Sequence, residues 1–224
     1  MPRTNLTIFD FDGTLYPIEE YDSEQLLIRE GAKHRGALFK KRCKHFIEQD
    51  QKGVFNDTTF HQRYEKLVRH TTGEMIDAVA ENLSARTGEP EREAILQLAK
   101  VSDLGILTCG TENLAHAFLE KLGLEKHFSF IRGKYLDRDP EGVQHLIVDI
   151  AGPQGKAEAL EGLREKYETI IAIGDGPTDI PMLQIADLGL IVSWNSSKRT
   201  YPFETHEDLA SAVRRSISYL QSKA

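Results

Sequence analysis

Hydrophobic positions divide the chain into two textures. From Asn5 to Phe9 a short apolar, β-branched run stops at Asp10, Asp12 and Gly13, the mark of a buried strand that ends in a turn. Two further runs share that character: Leu104 to Thr108, before Cys109 and Gly110, and Thr169 to Ile173, before Gly174 and Asp175. A fourth spans Leu188 to Trp194. Continuous rather than alternating hydrophobicity suits strands covered on both faces, and helical patterns lie between the runs, so the spacing predicts an α/β architecture with a parallel sheet. One helix is expected from about Thr111 to Leu122, stopped by Gly123, and another begins near Lys156. A last one would start with Thr205 and Asp208 as a capping box.

Between Pro17 and about Leu98 strand signals vanish. Apolar residues recur at helical spacing instead: Ile28, Ala32, Phe39, Cys43 and Phe46, then Phe60, Tyr64 and Leu67, then Met75, Val79 and Leu83. The economical description is an α/β core, residues 1–16 and 99–224, interrupted after its first strand by a helical insert, residues 17–98. No internal repeat or low-complexity tract is visible.

Composition narrows the function classes. With 224 residues, 40% apolar and 28% charged, the chain can bury a sizeable core. Its formal charge of -7 argues against a nucleic-acid surface, which rests on neutralising phosphates, but leaves a small anionic substrate open. Met1, Pro2, Arg3, Thr4 and Asn5 lead directly into a short apolar stretch, without the long uncharged segment of a signal peptide or membrane span, so a cytoplasmic protein is expected. Two cysteines, Cys43 and Cys109, offer neither a disulfide framework nor a zinc cluster.

Candidate chemistry gathers where strands end, the place where open parallel sheets hold ligands. Asp10, Phe11, Asp12, Gly13 and Thr14 form a D-x-D-G-T pattern expected by accident in roughly one chain in a thousand of this length. Side chains two apart on an extended segment point the same way, so one carboxylate could attack a group while the other moves a proton. Thr108, with the amides of Cys109 and Gly110, could hold phosphoryl oxygens, and Lys156 follows a Gly152, Pro153, Gln154, Gly155 loop. Asp175 and Asp179, four apart around a turn, offer oxygen ligands of the kind that suit magnesium. A phosphate dianion among these acids requires cations, and one Mg²⁺ with Lys156 supplies about three positive charges. As a proton donor, Asp12 would also need its pKa raised above the ordinary value of about 3.9, for which burial under a closing lid and a neighbouring phosphate are the available causes.

Asp10 to Leu15, Thr108, Lys156 and Gly174 to Asp179 resemble, in order, the four motifs of the haloacid dehalogenase superfamily. The resemblance implies a Rossmann-like parallel sheet with an inserted α-helical cap, and a phosphatase acting on a small phosphomonoester metabolite. It also implies an aspartyl phosphate on Asp10, Asp12 as general acid and base, and Mg²⁺ held by Asp10, the Asp12 carbonyl and Asp175, with Asp179 orienting waters or the lysine. Thr108, Cys109 and Lys156 would bind phosphate. The acid at position 12 favours phosphate esters over carbon-halogen bonds. The Gly-Asp-Gly of the fourth motif and Glu19 look like the phosphoserine phosphatase branch, whereas Thr108, Cys109 and Gly110 stand where that branch is expected to carry Ser-Gly-Gly-like residues. Glu19 and Arg63 are the candidate substrate contacts from the insert. The basic residues Lys33, Arg35, Lys40, Lys41, Arg42 and Lys44 read as a solvated helix face, with a polyanionic substrate as the alternative.

Overall fold

A computed structural model describes residues 4–194 and 200–223; the opening residues Met1 to Arg3, read above for targeting, lie outside them. Its strands are β1 (Asn5–Phe9), β2 (Asp103–Thr111), β3 (Phe128–Arg138), β4 (Gln144–Val148), β5 (Thr169–Gly174), β6 (Leu188–Val192) and β7 (Glu204–His206). Its α-helices are α1 (Ser23–Lys33), α2 (Ala37–Gln51), α3 (Asp57–Val68), α4 (Gly73–Ser84), α5 (Glu89–Leu98), α6 (Glu112–Lys121), α7 (Pro153–Glu161), α8 (Ile180–Ile185) and α9 (Leu209–Lys223).

The strands form one sheet in the order β4-β3-β2-β1-β5-β6-β7, parallel except for the antiparallel β3–β4 pair. β1 therefore sits in the middle, with Ile8 paired to Gly105 on one side and to Ala172 on the other. Its residues alternate between two apolar layers. Leu6 and Ile8 pack with Leu107, Leu160 and Ile170, while Phe9 and Phe11 pack with Leu104, Phe118 and Ile171. Covering both faces removes this strand from water, which explains why its apolar run is continuous. Each such Leu, Ile or Phe contributes about 1.5–3 kcal/mol on burial.

All five helices α1–α5 lie between β1 and β2. Side-chain caps start three of them: Asp22 accepts from the Gln25 amide, Asn56 from that of Thr59 and Thr72 from that of Met75. α4 packs against α6 and α5 against α9. Two boundaries differ from expectation. α7 begins at Pro153, whose fixed φ suits a first helical turn, so Lys156 lies within the helix. Thr205 belongs to β7, and Asp208 alone caps α9 by accepting from the Ser211 amide at 2.6 Å. The β3–β4 hairpin was not foreseen, because its strands mix polar with apolar residues instead of running apolar throughout.

Candidate active site

Parallel neighbours β2, β1 and β5 end at one edge of the sheet, and this brings the sequence motifs together. A cavity of about 300 Å³ is lined by Asp10, Asp12, Thr108, Cys109, Lys156 and Asp175. Every residue expected to bear the chemistry lines it except Asp179, which is wholly buried beneath.

Lys156 is the hub. Its Nζ lies 2.6 Å from Asp10 Oδ1 and 2.6 Å from Asp179 Oδ1, with all three side chains buried. Burial alone would pull the ammonium pKa down, but the charges of Asp10 and Asp179 more than offset this and raise it, so Lys156 stays cationic. Asp179 spends its other oxygen on the amides of Asp175 and Gly176, at 3.0 and 3.1 Å. It thereby fixes both the lysine and the turn after β5. Asp10 is pushed up to about 7, first by burial and then by Asp179, against the opposing pull of Lys156. Asp175 is also raised well above the usual carboxylate range by burial and by the charges of Asp10 and Asp179.

These raised carboxyls mark a site short of positive charge. Asp10, Asp175 and Asp179 offer oxygens within 4.8 Å of one another, a hard all-oxygen donor set that fits a magnesium ion. Since both Asp179 oxygens are already engaged, Asp10 and Asp175 remain the available carboxylate ligands. Gly13 keeps the space open: its φ is +80°, and a Cβ there would lie 2.4 Å from Asp175 Oδ2. The Gly13 carbonyl is held by Trp194 Nε1 at 2.7 Å.

Asp12 faces the helical insert. Its Oδ1 accepts from the Tyr16 hydroxyl and from the Ser23 amide at 2.7 Å, and its Oδ2 accepts from the Ser23 hydroxyl at 3.0 Å. Ser23 opens α1, so the second carboxylate of the motif is held by the first turn of the insert. Gly110 lets the β2 end approach, since a Cβ there would lie 2.7 Å from Asp12 Oδ2. Thr108 Oγ1 accepts from the Gly110 amide at 2.8 Å, which leaves its own hydrogen free to donate to an anion. Burial pushes the Cys109 thiol up to about 11, so it is an inert neighbour and not a nucleophile.

Neither substrate contact expected from the insert lines the cavity. The Glu19 side chain is 70% exposed and 3.7 Å from Arg86. Arg63 stacks over Phe55 and lines a separate groove between α2 and α3. The insert side of the cavity is instead Ile18, Asp22 and Glu24, which sequence reasoning missed. Asp22, Ser23 and Glu24 carry the signature of a helix start, and a helix starting shortly after the Asp10 turn is the signal that could have found them. Glu24 is buried, bonded to Lys134 Nζ at 2.7 Å and to the Thr111 hydroxyl at 2.6 Å. Thr111 in turn meets the Tyr64 hydroxyl at 3.0 Å.

A family model described as haloacid dehalogenase-like hydrolase matches residues 4–187. Phosphoserine phosphatase SerB2 of Mycobacterium tuberculosis is 28% identical over 191 residues, covering 83% of this chain and 43% of that protein; the chain thus spans under half of this relative's length. Among solved structures, a probable phosphoserine phosphatase from Vibrio cholerae superposes with a TM-score of 0.73 at 17% identity, over 98% of this chain and 67% of the other. A substrate-bound phosphoserine phosphatase complex gives 0.67 at 20% identity, over 97% and 98%. At these identities the structural likeness concerns the fold.

Proposed function

The chain belongs to the haloacid dehalogenase-like hydrolases, and on that footing we propose that it is a magnesium-dependent phosphatase hydrolysing a small phosphomonoester through an aspartyl phosphate on Asp10. The observation that carries this reading is the Asp10–Lys156–Asp179 arrangement beside Asp12 and Thr108 in one cavity. An Asp10 carboxylate oxygen attacks phosphorus as the bond to the leaving oxygen breaks, and Asp12 gives that oxygen its proton. Asp12, now a carboxylate, takes a proton from water attacking the aspartyl phosphate, which frees phosphate and regenerates Asp10. Thr108 and Lys156 hold the phosphoryl oxygens throughout, and Asp179 keeps the lysine aimed. A divalent cation held by Asp10, Asp175 and the Asp12 carbonyl would supply the charge that lets a phosphate enter among these acids.

The insert, read from sequence as residues 17–98, serves in this proposal as the substrate-selecting cap. Its moving part is α1–α3, because α4 and α5 pack against core helices α6 and α9. Release of the Ser23 bonds to Asp12 would accompany opening, so cap position and the proton-transfer group act together.

Phosphate release from a panel of phosphorylated metabolites, O-phosphoserine included, tests the reading with wild type and Asp10→Asn, with Mg²⁺ and with excess chelator. Release requiring both Asp10 and the metal is expected. Activity that survives Asp10→Asn would overturn the mechanism.

A further inference from the structure

The groove between α2 and α3 is basic although the chain as a whole is acidic. In a chain of net charge -7, this cavity of about 290 Å³ is lined by Arg42, His45, Arg63 and Lys66 over an aromatic floor that includes Phe39 and Phe46, and none of its lining residues is acidic. Arg42 and Phe46 lie on one face of α2, four apart, while Arg63 and Lys66 sit one turn apart on α3. The two helices thus aim their cations into a shared space. Arg35 lies outside this lining, stacked over the Phe39 ring at 4.3 Å.

Arg42, Arg63 and Lys66 have no ion pair among the described residues, as is also true of Lys40, Lys41 and Arg69, while Lys33, Lys44 and Arg86 pair with Glu30, Glu48 and Glu19. The larger groove on the other side of α2 includes Glu48 and the paired Lys33 and Lys44, so part of its positive charge is already answered. These bases are exposed, so water screens most of their mutual repulsion, and what they offer is a concentration of donors and positive potential to an arriving anion. The aromatic floor beside them favours a ligand that also carries a flat ring, and the volume sits at the small end for organic-ligand sites.

We propose that this groove is a second ligand site, distinct from the cavity at the strand ends, for an aromatic polyphosphate of the nucleoside diphosphate class. The ring lies against Phe39, the partly exposed one of the two phenylalanines, and the phosphates bridge Arg42 of α2 to Arg63 and Lys66 of α3. Because Tyr64 follows Arg63 and reaches Thr111, which bonds Glu24 at the cavity wall, an occupant tying α2 to α3 also stiffens that wall.

Calorimetric titration of the whole chain with ADP, pyrophosphate and adenosine, in the presence of excess chelator, tests the site. ADP should bind, pyrophosphate several-fold more weakly, and adenosine not measurably. Arg42→Gln with Arg63→Gln should weaken ADP at least tenfold with an unchanged melting temperature, whereas Lys41→Gln, which removes an exposed charge next to the groove, should change it less than twofold. Asp10→Asn should leave ADP binding intact. No ADP binding to wild type at millimolar concentration would overturn the proposal, as would equal losses in Lys41→Gln and the arginine double variant. Loss of binding in Asp10→Asn would place the ligand in the catalytic cavity instead. Equal affinity for pyrophosphate and ADP would overturn the part assigned to the aromatic floor.

Discussion

Glu24 and Lys134, 110 residues apart in the sequence, form a buried ion pair of 2.7 Å between the first helix of the insert and a strand of the sheet. Burial pushes the Glu24 carboxyl up, and Lys134 pulls against that push. The lysine also lies over the rings of Phe60 and Tyr64 at 4.4 and 5.4 Å, so its charge is answered on two sides. Lys134→Met should destabilise the fold by about 3–5 kcal/mol, since it strands a buried acid, and adding Glu24→Gln should recover much of that loss. Urea melts of the two single variants and the double variant measure the coupling; strictly additive losses would mean the pair does not act as one.

Asp12→Asn should slow phosphate release by orders of magnitude while leaving metal affinity nearly intact. The amide oxygen can still accept from Ser23 and Tyr16, so the melting temperature should hardly move. Weak metal binding with normal turnover in this variant would reverse the roles given to the two aspartates.

A carboxyl raised in the folded state contributes stability that is complete below its unfolded pKa and is lost as pH rises through its folded value. Asp10 rises from 3.8 to about 7, so the chelated protein should lose melting temperature between about pH 4 and about pH 7. Added Mg²⁺ should restore several degrees at pH 7.5 and little at pH 5. Calorimetric scans under the four conditions give the comparison, and a flat profile in chelator would contradict the charge deficit at the site.

Gly13→Ala should cost about 1–3 kcal/mol from its positive φ and also abolish activity, because the new Cβ would lie 2.4 Å from Asp175. A folded, fully active alanine variant, judged by circular dichroism and turnover, would show that Asp175 need not stand where it does.

The edge of the sheet that holds the cavity was legible because the motif residues follow strand ends, and apolar strand runs are visible without a structure. Asp10, Asp12, Thr108, Lys156 and Asp175 all reached the cavity through that logic. The wall facing them was not legible. Glu19 and Arg63 are carried over from the family resemblance, with Arg69 near the same place as Arg63, but which insert residues meet the cavity depends on how α1 and α3 rotate and pack, and periodicity does not give the direction of its own apolar stripe. Lys134 was invisible for another reason: its strand pairs antiparallel near the sheet edge, so its segment is too polar to read as a buried run, and a buried lysine there depends on a partner from far away in the chain.

The central position of β1 also has a consequence for biosynthesis. The strand that leads to Asp10 precedes the other strands of the sheet in the chain, yet Leu6 pairs with Asp103 and with Ile170, partners roughly a hundred and more than a hundred and sixty residues later. A nascent chain on the ribosome therefore leaves this buried strand without its sheet partners until much of the rest has emerged, and the cavity is complete only once the turn after β5 is in place. Such long-range pairing should slow folding, and chains truncated before β5 should aggregate, a behaviour that expression of stepwise truncations would reveal.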